Sequence, residues 1–146
     1  MFDKILLATD FSPNADAALA LAIDLAQRGP RALEIVHAYR TGVIVLPPPL
    51  ELLGLPPSGP TFDHLEAALE SRVQQARAKG LRVEARTLVG EPTEAIGDYA
   101  RETGADLIVV GARGLGLLDR VLVGSVAAKI IRHAPCPVLV VPPRAS

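Results

Sequence analysis

The order of apolar runs and helical patterns along this chain predicts an α/β fold built on a doubly wound parallel sheet, and three observations carry the prediction. Five short apolar runs alternate with amphipathic stretches as βαβαβαβαβ, and parallel neighbours need crossover connections of this kind. Two of the runs, LEIV from Leu33 and DLIVV from Asp106, are near-continuously apolar rather than alternating, as strands buried on both faces are. The chain has 146 residues, 49% hydrophobic and 21% charged. That is one domain's worth, able to bury roughly two-thirds of its unfolded surface.

Taken in order, the first strand is Lys4 to Thr9 (KILLAT). Ser12-Pro13 then supplies an N-cap and a first-turn proline, and Ala18, Leu21, Ala22 and Leu25 recur on one face until Gly29-Pro30 stops the helix. The second strand is Leu33 to Ala38. Thr41 to Pro60 follows, with Pro47, Pro48, Pro49, Pro56, Pro57 and Pro60 among leucines and isoleucines. It has too many imides for regular structure and is too apolar for a solvated linker. Because it leaves the carboxyl end of a strand, it is expected to act as a flap, mobile without ligand and more protected with it, the other reading being an apolar loop permanently docked on the helices or on a second subunit. Thr61 caps a second helix whose stripe is Leu65, Ala68, Leu69, Val73 and Ala76, with Gly80 as its stop. Arg82 to Val89 is the third strand, Gly90-Glu91-Pro92 opens a third helix through Glu102 that Gly104 ends, and Asp106 to Gly111 is the fourth strand. Ser125 to His133 forms the last helix, ended by Pro135, and Pro137 to Val141 (PVLVV) is a fifth strand expected at a sheet edge. The pattern admits two strand orders, 2-1-3-4-5 and 3-2-1-4-5. In either, a ligand crevice opens at the carboxyl ends where the winding reverses. No second domain is visible between residues 1 and 146.

Composition removes several function classes. A net charge of −1 gives little long-range attraction for nucleic acid, so none is expected as partner. Lone Cys136 cannot close an intramolecular disulfide. MFDKILLATDFS puts acids and turn formers where a secretory signal needs an apolar run, and no stretch approaches the roughly 20 apolar residues of a membrane span. A cytoplasmic location without membrane insertion is the expectation. His37, His64 and His133 lack metal-ligand spacing, and Ser12 reads as a cap with no base beside it. No catalytic residue is assigned.

The chemically informative stretch is Val110-Gly111-Ala112-Arg113-Gly114, followed after nine residues by Gly124-Ser125-Val126 at a helix start. Glycines let a ligand approach backbone N–H groups, and a helix N-terminus presents unpaired donors with the positive end of its dipole. The combination suits an anion, most simply phosphate. Arg113 can add its guanidinium fork or stand as a solvated loop arginine. Asp10, just past the first strand, can accept from ribose hydroxyls or sit against the first helix dipole. Neither dinucleotide-binding G-x-G-x-x-G nor a Walker lysine is present, and spacing alone leaves two tight turns and a cap as an equal reading.

At these residues the chain resembles the universal stress protein family, in its branch carrying G-x2-G-x9-G-(S/T). Gly111, Gly114, Gly124 and Ser125 match that motif with both spacings. The resemblance extends over ILLATDFSPNA, IVHA, GEP, DLIVVGARG and GSVAAKIIRHAPCPVLVV. It implies a sheet of order 3-2-1-4-5, an ATP-binding crevice with Mg²⁺, and a homodimer, expected here through Val138 to Val141. By the same carry-over, Gly111, Gly114, Gly124 and Ser125, with Val126 beside them, are phosphate-binding. Asp10 is a ribose or metal-proximal acid, and Ala8, Thr9, Ala38 and Val110 contact adenine and ribose. The implied function is an ATP-dependent stress-response or signalling module with little or no turnover. Two alternatives stand beside it: a weak Mg²⁺-dependent ATPase in which Asp10 organises metal and water, and a dimeric scaffold that does not use nucleotide.

Overall fold

The computed structural model describes residues 2–29, 32–39, 62–112 and 125–143. The flap, Thr61, Arg113, Gly114 and Gly124 lie outside the described residues. In chain order the elements are β1 (Lys4–Ala8), α1 (Pro13–Gln27), β2 (Ala32–Tyr39), α2 (Phe62–Arg77), β3 (Val83–Val89), α3 (Pro92–Thr103), β4 (Leu107–Gly111), α4 (Ser125–His133) and β5 (Val138–Val141). All four strand pairs are parallel, and the order is β3-β2-β1-β4-β5. The 3-2-1-4-5 alternative is therefore the observed one, with PVLVV at an edge.

The strands' two faces carry separate cores. On one, Ile5, Leu7, Leu33, Ile35, Leu107 and Val109 pack against α1 and α2; on the other, Leu6, Ala8, Val36, Ile108 and Val110 pack against α3 and α4. Crossovers after β1 and β2 thus run over one face and those after β3 and β4 over the other. The reversal falls between β1 and β4, which opens a crevice at their carboxyl ends.

Local signals explain the helix ends. Ser12 Oγ accepts from the Ala15 N–H at 3.2 Å and proline occupies the first turn of α1. Glu91 caps α3 through the Glu94 N–H, and Gly104 closes that helix in the left-handed region at φ 69°. At the opposite edge the Asp106 carboxylate accepts from the Asp3 and Lys4 N–H groups at 2.8 and 3.0 Å, which fixes the entry of β1 beside β4. One expectation needs correction. Leu21 and Leu25 are only half-buried, and the core face of α1 is Ala15, Ala18, Leu19, Ala22, Ile23 and Ala26. Four alanines let the helix lie close on the sheet, which turns its larger side chains Leu21 and Leu25 to the rim.

Candidate functional site

The chain leaves β1 through a turn held from several directions. Thr9 donates its N–H to the Val36 carbonyl at 2.9 Å, and the Thr9 carbonyl accepts from His37 Nδ1 at 2.8 Å, so this ring nitrogen carries the proton. Asp10 is exposed, and its Oδ1 accepts from the Ser12 N–H at 2.9 Å in a local Asx turn. Phe11 donates its N–H to Thr9 Oγ1 at 3.0 Å and has φ +66°, the one positive φ of a non-glycine among the described residues. Its ring lies 4.5 Å from that of His37. Asp10 thus projects from a rigid support while remaining open to solvent.

Beside this turn, β4 ends at Gly111. A Cβ there would stand 3.1 Å from the backbone carbonyl and the side-chain amide carbon of Asn14, in the first turn of α1. Glycine is required for α1 to come this close to β4. The buried Asn14 amide donates to the Val141 carbonyl at 3.1 Å, and the same carbonyl accepts the Ala112 N–H at 2.8 Å. One oxygen at the end of β5 therefore joins α1, β4 and β5 at the root of the glycine segment.

The residues singled out from sequence fall as follows. Thr9, Asp10 and Gly111 share this carboxyl edge. Ala8 and Val110 are buried and Ala38 partly buried, all three on the α3/α4 face, where they form an apolar floor. Ser125 is the first residue of α4, and Val126 behind it is exposed. Thr93, in the first turn of α3, has a buried hydroxyl without a hydrogen-bond partner, the one such side-chain atom among the described residues. Sequence reasoning missed Asn14, His37 as a backbone donor, Phe11 and Arg72. Asn14 is the chain's single asparagine, which was its only signal. An open groove of about 550 Å³ between α2 and β3, lined by Glu66, Leu69, Glu70 and Arg86, contains none of the expected residues. No cluster of three or more histidine, cysteine or acidic side chains suited to a metal occurs among the described residues. Likewise no described helix is long and apolar enough to cross a membrane. Cys136 is half-buried, and burial pushes its thiol above the ordinary value, with Asp106 adding to the shift. A thiol held protonated in this way is a poor nucleophile.

The model of the universal stress protein family matches residues 1–142. A universal stress protein of Thermus aquaticus, from the 3′ region of a QAH/OAS sulfhydrylase, is 39% identical over 97% of this chain and 99% of its own length. Among solved structures, universal stress protein UspA from Lactobacillus plantarum superposes with a TM-score of 0.79 at 31% identity, covering 96% of this chain and 97% of that one. A universal stress protein in complex with cAMP gives 0.70 at 28% identity, with 98% of both chains covered. One from Archaeoglobus fulgidus in complex with dAMP gives 0.71 at 26%, covering 96% of this chain and 98% of that one. With family model, relatives and fold in agreement along nearly its whole length, the chain belongs to the universal stress protein family.

Proposed function

We propose that this protein binds an adenine nucleotide, ATP with Mg²⁺, at the carboxyl edge between β1 and β4, and serves as a nucleotide-dependent stress-response or signalling module with little or no turnover. The observation that carries the reading is the reversal of winding between β1 and β4. It brings an exposed acid, Asp10, an apolar floor of Ala8, Ala38 and Val110, and the roots of the glycine segment to one crevice. The floor suits a purine face, and Asp10 suits ribose hydroxyls or a hydrated cation. Relatives of the same fold were solved with cAMP and dAMP, which supports the adenine class. Phosphate falls to Gly111, Gly114, Gly124 and Ser125, with Val126 alongside and Arg113 as a cationic partner, by the motif spacing these residues match.

Mg²⁺ fits this donor set in one way. With no acidic cage among the described residues, the ion would be shared between Asp10, phosphate oxygens and water, the usual habit of a cation that gives up its hydration reluctantly. The reading of little or no turnover is supported by the sequence, which carries no Walker lysine to neutralise charge on a transferred phosphate.

The proposal extends to a homodimer. No strand among the described residues pairs with the outer edge of β5, and Val138, Leu139 and Val140 are only half-buried. A second copy pairing or packing along Val138 to Val141 would cover this edge.

The deciding experiment is calorimetry with ATP, ADP, AMP and cAMP, with and without Mg²⁺, together with identification of any nucleotide that co-purifies. Saturable heat with ATP, strengthened by Mg²⁺, is expected. No heat and no thermal shift with any of the four at millimolar concentration would end the reading.

A further inference from the structure

The Asp10 turn is held in part by a residue far away in sequence. We propose that Arg72, on α2, is a positioning residue for this turn, clamping Phe11 in its left-handed conformation and thereby setting the direction of Asp10.

Phe11 at φ +66° occupies a region that is costly for a residue with a Cβ and persists only where surroundings over-determine it. Its N–H bond to Thr9 Oγ1 is local and would survive small rotations. The remaining constraints come from outside: the ring packs on the core beneath α1 and α2, its centroid 4.5 Å from that of His37, and the backbone is held by Arg72. Arg72 Nη2 donates to the Phe11 carbonyl at 3.3 Å, and the guanidinium carbon lies 5.2 Å from the centroid of the Phe11 ring. One side chain thus grips the backbone and the ring of the same residue.

Arg72 is itself fixed before it reaches Phe11. Its Nε and Nη2 donate to the Asp16 carboxylate at 3.1 and 3.3 Å, and Nη1 donates to the Ala68 carbonyl one turn back on α2 at 3.3 Å. The side chain is 17% exposed. A planar fork with its donors aimed in three directions is what this arrangement uses, and a lysine's point charge cannot reproduce it. Asp16 sits in the first turn of α1, so the guanidinium spans α2, α1 and the turn between β1 and α1.

The consequence falls on Asp10. Thr9 before it is anchored to β2 at both N–H and carbonyl, and Phe11 after it is anchored by Arg72. The peptide on each side of Asp10 is therefore fixed, and its carboxylate points where the Ser12 N–H bond directs it. Without Arg72 the nearest relaxation returns Phe11 to negative φ and swings the Asp10–Phe11 peptide.

The effect on ligand rests on the proposed nucleotide reading; the clamp itself does not. The test compares wild type, Arg72→Lys, Arg72→Leu and Arg72→Leu combined with Phe11→Gly, by ATP calorimetry, thermal unfolding and amide exchange of Ser12 without ligand. Arg72→Leu is expected to weaken ATP roughly tenfold and to speed Ser12 exchange, with Arg72→Lys close behind. Glycine adopts φ +66° without strain, so the double variant should regain much of the affinity and Ser12 protection while its melting temperature falls further. That divergence is what lost packing alone would not produce. Affinity and Ser12 exchange within twofold of wild type in Arg72→Leu, or a double variant weaker than Arg72→Leu in both, overturns the proposal. If Arg72→Leu does not fold, Arg72→Lys decides by the same two readouts. If wild type takes no ATP, the nucleotide reading fails alone, and Ser12 exchange across the series still decides the clamp.

Discussion

Two polar clusters sit on opposite faces of the same sheet and treat their acids in opposite ways. At the carboxyl edge on the α1/α2 side, Asp10 is left open while its neighbours Thr9, Phe11 and Ser12 are each bound in place. Beneath α3, Glu34 is 4% exposed and its carboxylate is consumed by the Tyr99 hydroxyl and Lys4 Nζ, the latter at 3.7 Å. Arg86 lies over the Tyr99 ring, its guanidinium carbon 5.5 Å from the centroid. The first arrangement spends its bonds on support and keeps the acid free for something else. The second closes on itself and fastens α3 to β2. The two acids thus differ in what is fixed around them: the exposed one stands on a bound backbone, and the buried one is itself the bound group.

The sharpest way to break this contrast is to remove one atom from the closed cluster. Tyr99→Phe leaves the Glu34 carboxylate buried with only a distant ammonium, and should cost about 2 to 3 kcal/mol of unfolding free energy while leaving ATP affinity unchanged. Urea denaturation and calorimetry read the two quantities. A pH series adds the sign. Burial first, then the Glu34 hydrogen bond and charge, push the Tyr99 hydroxyl from 10.0 up to about 12. The folded state therefore keeps a proton that the unfolded chain releases earlier. The stabilising contribution is whole below about pH 10 and is lost as pH rises through 12, on the order of 2 kcal/mol. Wild type should lose stability across that window more steeply than Tyr99→Phe; equal slopes would show that the pair is not closed as described.

A smaller effect tests the root of the open cluster. Gly111→Ala places a Cβ 3.1 Å from backbone and side-chain atoms of Asn14, so α1 must move by a few tenths of an ångström. The expected cost is about 1 to 2 kcal/mol, with faster amide exchange at Ala112, whose N–H shares the Val141 carbonyl with Asn14. Asn14→Ala in the same background should not restore the loss, because the Asn14 backbone carbonyl still stands 3.1 Å from the new Cβ and the buried bond to the Val141 carbonyl is gone. Full recovery would mean that Gly111 makes room for the Asn14 side chain alone and not for the close approach of the α1 backbone.

How much of this could be read beforehand depends on the range of each interaction. Strands, helix caps and the left-handed close at Gly104 are local and periodic, so Ser12-Pro13 and Glu91-Pro92 announced themselves. The strand order was left with two candidates by pattern, and the family motif chose between them. Glu34 was read as part of an apolar run, since its only notice is a single letter within LEIV and its partner Tyr99 is 65 positions away. Arg72 stands 56 positions from Asp16 and 61 from Phe11, and nothing in helical periodicity separates it from the solvated arginines around it. Gly111 drew notice through the spacing of its glycines, and nothing in that spacing showed it as the gap that admits Asn14. What sequence cannot display is which polar side chains the crossovers bring together.

The smallest structural change probes the open acid most directly. Asp10→Asn keeps an oxygen that accepts the Ser12 N–H, so the Asx turn survives, and it removes only the charge. Because Asp10 is exposed and its support is built from Thr9, Phe11, His37 and Arg72, unfolding free energy should stay within about 0.5 kcal/mol of wild type. Ligand affinity should behave differently. If Asp10 meets Mg²⁺ or the ribose as proposed, Mg-ATP binding weakens by about 1 to 3 kcal/mol, the range for a hydrogen bond to a charged group, and the enhancement by Mg²⁺ shrinks. Adenosine distinguishes the two roles, for a ribose contact is lost with adenosine as with ATP, whereas a metal contact is lost with Mg-ATP alone. Stability loss comparable with that of Tyr99→Phe would place Asp10 in the same class as Glu34 and erase the distinction between the two clusters. Unchanged stability with unchanged affinity for every ligand would leave the open acid without the role assigned to it.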